Sequence, residues 1–463
     1  MSQDVTAPSG SSHLSRSLGL WAIVALGLGY MTPTVIFDTF GIVSEETRGL
    51  VPTAYVLALV AMVFTAISYG RMTRVFPSAG SAYTYTSETM SPNLGFLVGW
   101  SSLLDYLLLP LVNALIIRSY MESFFPGVPA WIWVVVYVAV VTAMVAVSMS
   151  NTSRVNALLV VFEVVLIAVF LVLAARRLSQ GEGNGTLFST APVWNANAEL
   201  GLLITGATLV CFSFIGFDAI TMYTEEAKDA STVPKAIVLA LLIGGAIFFV
   251  AAWFTQSLFP TLEGFTQDAL ENSALPEIAF AVGGDLFKIL LTSAAFAATM
   301  ASSLASHASV ARLLYVMGRN GNGPVSGFFG SVHPTFRTPA KSIVFVGIVS
   351  LGAIPFNLDF IASLINFGAL IAFSFVNLTV IAYFAWKRRE RGTPAEIFSN
   401  IVLPLIGVAL TLVLWANLSA ESRNYGFIWF GVGIVILLWL TRFLRKPLTM
   451  KLEEEGVIGV GDD

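Results

Sequence analysis

Cysteine is nearly absent from this chain: its 463 residues include one, Cys211, which falls inside an apolar run. A lone cysteine excludes a disulfide framework and a cysteine-based metal site. Histidine is almost as scarce. His13, His307 and His333 are scattered without ligand spacing, so no zinc-type cluster is expected. Charge is scarce too: 11% of residues are Asp, Glu, Lys or Arg, against 56% hydrophobic, and the mean hydropathy is +0.81. No soluble domain has such a balance, which marks a polytopic membrane protein. The net charge of −4 resides almost wholly in loops and says little about partners; no nucleic-acid partner is expected. The first 17 residues are polar and Ser-rich. They lack the charged start, short apolar core and cleavage site of a signal peptide, so an uncleaved cytoplasmic tail is expected.

What the chain has instead is long apolar runs. A helix-length window places spans near 18–43, 52–70, 94–119, 130–149, 155–176, 202–224, 235–258, 286–312, 341–356, 358–385, 401–419 and 427–444. The expected organisation is a tail over 1–17, a transmembrane domain over 18–444 and a second tail over 445–463. Within the domain, spans 1–5 occupy about 18–176, spans 6–10 about 202–385 and spans 11–12 about 401–444. With the N-terminus inside, eighteen Lys and Arg fall on the inner side, among them Arg71, Arg74, Lys235 and the Lys387-Arg388-Arg389 run. Six fall outside: Arg48, Arg118, Arg176, Arg177, Lys288 and Arg423. That bias places both termini in the cytoplasm and the protein, multi-pass, in the inner (plasma) membrane.

Two of these spans are interrupted. The first carries Gly27, Gly29, Pro33 and Asp38. Proline at that depth removes a hydrogen bond and clashes with the preceding turn, which predicts a break around Tyr30–Thr34. Broken backbone is tolerated in a membrane only where protein or a water-filled cavity surrounds it. The sixth span reads Phe214-Ile215-Gly216-Phe217-Asp218, again a flexible residue beside an acid without an adjacent base. Breaks at corresponding positions of spans 1–5 and 6–10 point to an inverted-repeat transporter with its site at the bilayer midplane. The repeat rests on the breaks, since the halves share no evident residue identity. The Pro and Gly of Phe76-Pro77-Ser78-Ala79-Gly80 suggest a re-entrant or interfacial turn, and the loop between spans 7 and 8 is acidic.

Several stretches resemble the amino acid–polyamine–organocation permeases. Glu225-Glu226 followed by Val233-Pro234-Lys235-Ala236-Ile237 is similar to a signature of that family, as are Phe214–Asp218 and Phe76–Tyr83. Phe37–Ser44, Gly99–Leu107 and Leu304–Val310 resemble its bacterial diamine-importing branch. The likeness runs from about Leu18 to Leu444. It implies an all-α fold of twelve transmembrane helices, with a leucine-transporter-type 5+5 inverted repeat and broken helices 1 and 6. It also implies proton-coupled uptake of an organic cation.

The departures from the family carry information. Amino acid members have Gly-Ser-Gly-Ile-Phe at the first break, where backbone N–H groups hold a substrate carboxylate. Aligned on Ile36-Phe37, this chain has Pro33-Thr34-Val35 followed by Asp38. Pro33 has no N–H to offer, Val35 adds bulk, and Asp38 repels a carboxylate while attracting an ammonium. A lysine that many members carry in span 5 is matched here by Glu163.

The candidate substrate-binding residues are accordingly Tyr30, Thr32, Asp38, Asp105, Phe214 and Asp218, and the candidate proton-coupling groups are Glu163 and Asp218. An intramembrane carboxylate is a functional hypothesis by default. Asp38 can alternatively cap the outer half-helix, Asp105 can pair with another helix, and Glu163 can be a neutral, hydrogen-bonded structural acid. Glu163 stands alone among apolar residues, where desolvation favours the neutral form that suits proton coupling. Trp100, Phe212 and the two favoured aromatics, Tyr30 and Phe214, can pack on a methylene chain or face an ammonium. His307 is expected to be a packing hydrogen-bond donor. Glu225, Glu226 and Lys228 are expected to form an inner ion-pair network.

The expected function is import of putrescine or a similar small diamine by alternating access, with protons as the coupled partner and no cofactor beyond the proton gradient. The alternative is an amino acid permease or amine/amino acid exchanger of the same family. A monomer or weak oligomer in the bilayer is expected. No carbonyl run resembling a selectivity filter suggests a channel, and no nucleophile–base pair, metal set or phosphate loop suggests an enzyme.

Overall fold

A computed structural model describes residues 18–77, 81–147, 153–196, 198–224, 226–229, 231–320, 326–333 and 338–441. Both tails, the Ser78-Ala79-Gly80 turn and Glu225 lie outside the described residues. The described chain is helical throughout, its one β feature an isolated bridge between Leu18 and Ala227. The helices are α1 (Leu20–Met31), α2 (Val35–Glu46), α3 (Val51–Val75), α4 (Ser81–Thr89), α5 (Pro92–Phe124), α6 (Ala130–Val147), α7 (Ser153–Ser179), α8 (Leu200–Phe214) and α9 (Thr232–Leu258). They continue with α10 (Gln267–Glu271), α11 (Leu275–Asn320), α12 (Ser326–Phe329), α13 (Ala340–Ser350), α14 (Leu358–Val380), α15 (Pro394–Ile397), α16 (Leu403–Ala416) and α17 (Ala420–Leu440). Backbone groups in hydrocarbon must be satisfied within the segment, so apolar runs of this length become helices. The starts are marked locally. Ser91 accepts from Leu94 N with Pro92 in the first turn, Asn357 accepts from Phe360 N, and Ser419 accepts from Ser422 N.

Among the described residues ten helices are long and apolar enough to cross a bilayer; α1 and α2, bent by 45° at their break, make an eleventh span as a pair. The run near 341–356 differs from a full span. Its helix covers Ala340–Ala353, fourteen residues or about 21 Å, against a hydrocarbon core of about 30 Å. Arg118 Nη1 donates to the Ala353 carbonyl over 2.9 Å and so satisfies the end of that short helix. The eighth span starts earlier than its apolar run suggests, because α11 begins at Leu275 and kinks at Gly284, where φ is 70°. Span 11 likewise begins at Pro394, through α15 and a π-helical turn.

Large apolar side chains point outward around the bundle, including Val136 on α6, Val172 on α7, Leu286 on α11 and Val435 on α17. Such a belt is stable only against lipid or another apolar surface. Inside, α3 runs along α9 and α8, and α1 packs on α9, while α5 packs on α14 and α11. The start of α1 is tied to the segment that follows α8: Leu18 N donates to Glu226 O and Lys228 N to Leu18 O, each over 3.0 Å. These backbone bonds, rather than an ion pair between Glu226 and Lys228, join the two interrupted helices there.

Candidate functional site

The first break follows from Thr32-Pro33-Thr34. Pro33 cannot continue the hydrogen-bond ladder of α1, and Thr32 is left in the left-handed region at φ 45° and ψ 87°. A β-branched residue rarely adopts that conformation, and strain of this kind concentrates at functional sites. The second break is set by glycine. After α8 ends at Phe214, Gly216 takes φ +125°, and a Cβ there would sit 2.7 Å from Tyr30 Cβ. The two breaks therefore touch, and only glycine permits both the backbone angle and the approach. Helices α1 and α8 both end at this junction. Their terminal carbonyls lack intrahelical donors and carry partial negative charge, which favours a cation.

Beside the junction lies a narrow cleft with a cavity volume of about 30 Å³, lined by Tyr30, Thr32 and Asp38, by Asn113 of α5, by Phe212 of α8 and by Ser302 of α11 among others. Asp38 is 1% exposed. Its Oδ1 accepts from Tyr120 Oη at 2.8 Å and from Ser273 Oγ at 2.7 Å. No side-chain cap bond forms at the start of α2, so Asp38 is not the helix cap; it joins α2 to α5 and to the segment before α11. Glu163, also 1% exposed, reaches the same break from α7. Its Oε1 accepts from Thr34 Oγ1 at 2.9 Å and its Oε2 has no partner. Thr34 and Asp38 are one helical turn apart and share a face, which brings Glu163 within electrostatic range of Asp38 and Tyr120.

Asp105 and Asp218 lie elsewhere. Neither lines the cleft. They are within electrostatic range of each other. Asp218 Oδ1 accepts from Gly216 N at 3.2 Å, folding back on its own break. The fifteen residues from Asp105 to Tyr120 on α5 rise about 22 Å. An extended four-carbon diamine spans roughly 6 Å between nitrogens. One such molecule therefore does not bridge Asp38 and Asp105.

Aromatic placement also departs from expectation. Phe214 is fully buried and packs edge-on against Tyr55 and Phe248, at centroid distances of 6.1 and 5.3 Å; Phe212 lines the cleft instead. Residues two apart on a helix point to nearly opposite sides. Trp100 stacks on Trp429 at 4.7 Å, and each indole N–H donates to the other residue's carbonyl. That is scaffold packing. His307 Nε2 lies 2.9 Å from the Ile343 carbonyl, a bond between helices. Tyr120, Ser273 and Thr34 are the site residues that sequence reasoning missed. Nothing in sequence marks Tyr120 or Ser273 as partners of Asp38, whereas Thr299, Ser302, Ser303 and Ser306 form a polar stripe at helical spacing that could have been read.

Among the described residues Asp38, Asp105, Glu163 and Asp218 are all buried, and none has a basic partner; the ion pairs lie at the surface. An all-helical membrane protein with a polar cleft at two touching helix breaks has the build of a secondary transporter. The chain belongs to the amino acid permease family, whose model matches residues 18–440. It is 46% identical over 449 residues, 97% of this chain and 98% of the relative, to the low-affinity putrescine importer PlaP of Escherichia coli strain K12. It is 25% identical over 465 residues to the branched-chain amino acid permease BcaP of Bacillus subtilis strain 168, covering 95% of this chain and 96% of the relative. To the methylthioribose transporter of the same strain it is 26% identical over 463 residues, with the same coverage.

Proposed function

We propose that the protein imports putrescine or a similar small diamine, coupled to protons, by alternating access. The observation that carries this reading is Asp38: a buried carboxylate on the cleft, held by two hydroxyls and no base. A desolvated carboxylate needs a cation or a proton. The carboxyl ends of α1 and α8 at the junction favour positive charge, the amino end of α2 favours the ionised Asp38 itself, and a carboxylate-binding nest of N–H groups is missing where Pro33 stands. The name of the 46% identical relative supports the same substrate class. One ammonium pairs with Asp38, while the other meets the neutral acceptors of the cleft, Asn113, Thr299 and Ser302.

In this reading twelve spans form two inverted repeats of five with two further helices, over the domain 18–444, and both termini face the cytoplasm. Spans 1, 2, 6 and 7 move against the rest. Glu163 carries the coupling proton in this reading, which is supported by its unpartnered Oε2 and by its bond to Thr34 at the first break. Purified protein in liposomes tests the proposal. Labelled putrescine should accumulate when an inward proton gradient is imposed and stop when a protonophore collapses it. Accumulation that ignores the gradient contradicts proton coupling, and no uptake at all contradicts diamine import.

A further inference from the structure

The mechanism above makes no use of Lys387-Arg388-Arg389-Glu390-Arg391, the turn between α14 and α15. Helix α14 runs into this turn through a π-helical stretch, Ile381–Lys387, and α16 is entered through another, Phe398–Val402. The two stretches pack against each other; such geometry is rare and frequent at functional sites. Backbone bonds fix the chain between them. Arg388 N donates to Tyr383 O and Glu390 N to Phe384 O, each over 2.9 Å. Arg389 takes φ 59°, which a non-glycine residue rarely adopts. The buried Asn400 donates to Glu390 O at 2.6 Å. From α3, Arg71 donates to Ser399 O and Asn400 Oδ1 and lies 4.3 Å from the centre of the Phe384 ring. Phe76 packs edge-on against Tyr383 at 5.4 Å. The end of α3, which carries Arg74, is thus held against the turn.

Charge does not balance in this neighbourhood. Glu390 pairs with Arg388 at 3.5 Å, and Glu396 Oε2 accepts from Gly392 N and Thr393 N at 2.8 and 3.1 Å. Arg74, Lys387, Arg389 and Arg391 are exposed and have no acidic partner among the described residues. On the same segment Trp386, Ile397 and Phe398 are 69%, 43% and 57% exposed. A tryptophan beside bases is the build of a membrane interface, and clustered bases there attract anionic headgroups. A water-soluble anion would satisfy the bases but leave these apolar side chains uncovered. We infer that the α14–α15 turn and the end of α3 bind the phosphate headgroup of an anionic phospholipid, with its acyl chains along Trp386 and Phe398. The headgroup bridges α3 to the turn alongside Arg71, so bound lipid stabilises the protein. The site does not depend on what the cleft carries.

The test is the apparent Tm of the purified full chain in detergent, with phosphatidylglycerol or phosphatidylcholine of the same acyl chains added. A ligand of the folded state raises Tm by mass action, and phosphatidylglycerol should raise it by about 2–4 °C more than phosphatidylcholine. In about 1 M salt, where the Debye length is about 3 Å, that difference should fall to about half or less. Lys387→Gln, Arg389→Gln and Arg391→Gln together should abolish the difference and keep the Tm in phosphatidylcholine, because these side chains bond to nothing among the described residues. Arg389→Lys with Arg391→Lys should retain the difference. Equal Tm of the wild type in the two lipids would overturn the site. A difference that survives the three glutamines, or the salt, would place the lipid elsewhere and overturn it too. The same rise from inorganic phosphate alone would mean a soluble-anion site and overturn the lipid.

Discussion

Replacing Asp38 with asparagine probes the binding of the amine with little disturbance of the fold. Oδ1 of Asp38 receives the Tyr120 and Ser273 hydroxyls at 2.8 and 2.7 Å, and an amide oxygen can accept both. Among the described residues the other carboxylate oxygen accepts no hydrogen bond; asparagine puts an NH2 donor there, facing an ammonium it cannot accept. A hydrogen bond to a charged group contributes about 1.5–3 kcal/mol. At ~1.4 kcal/mol per tenfold, the apparent affinity for putrescine should fall by about ten- to a hundredfold. Removing a buried charge should not harm folding, so expression and thermal stability in detergent should stay near wild type. Tyr120→Phe is the matched control. It removes one hydroxyl and keeps the charge, at a net cost of about 1 kcal/mol, or severalfold in affinity. The assay is the concentration dependence of labelled putrescine uptake alongside surface expression. A well-expressed Asp38→Asn variant with wild-type KM would refute the role of Asp38. Loss of expression would show that the carboxylate instead holds the broken helix to α5.

Three further predictions address the surroundings of the site. Glu163→Gln, which imitates the protonated state and can still accept from Thr34, should keep putrescine exchange while flattening the pH dependence of gradient-driven uptake; an unchanged pH profile would transfer coupling to Asp218. Gly216→Ala places a Cβ 2.7 Å from Tyr30 at φ +125°, so it should cost ~1–3 kcal/mol, visible as a lower apparent Tm and reduced uptake. Trp100→Phe loses the indole bond to the Trp429 carbonyl. It should lower stability by about 1–2 kcal/mol and leave KM within twofold, since this pair lies in the scaffold; a large KM change would place Trp100 in the substrate path.

The breaks were legible because their causes are local. Pro33 and Gly216 act through backbone geometry that depends on few neighbours, and the helices appear at these residues. The acids were legible for the same reason: a carboxylate in an apolar run stands out wherever it points. How the acids group was not legible. Thr34 bonds Glu163, and Asp38 bonds Tyr120 and Ser273, across 129, 82 and 235 residues of sequence, which no local pattern encodes. Aromatic side chains were misread in the same way. Phe212 and Phe214 differ in role by the phase of α8, and that phase is set by packing against Tyr55 and Phe248. The length of the helix Ala340–Ala353 was missed because hydropathy continues to Phe356 while the helix itself stops at the carbonyl that Arg118 binds.

The central claim, that the cleft selects an amine and not an α-amino acid, is tested most directly by competition for labelled putrescine uptake in proteoliposomes. Unlabelled putrescine and its close diamine homologues should compete strongly, while leucine and alanine, whose carboxylates would meet Asp38 instead of a nest of N–H groups, should compete far more weakly. Equal competition by leucine or alanine would contradict the account and favour an amino acid permease or exchanger.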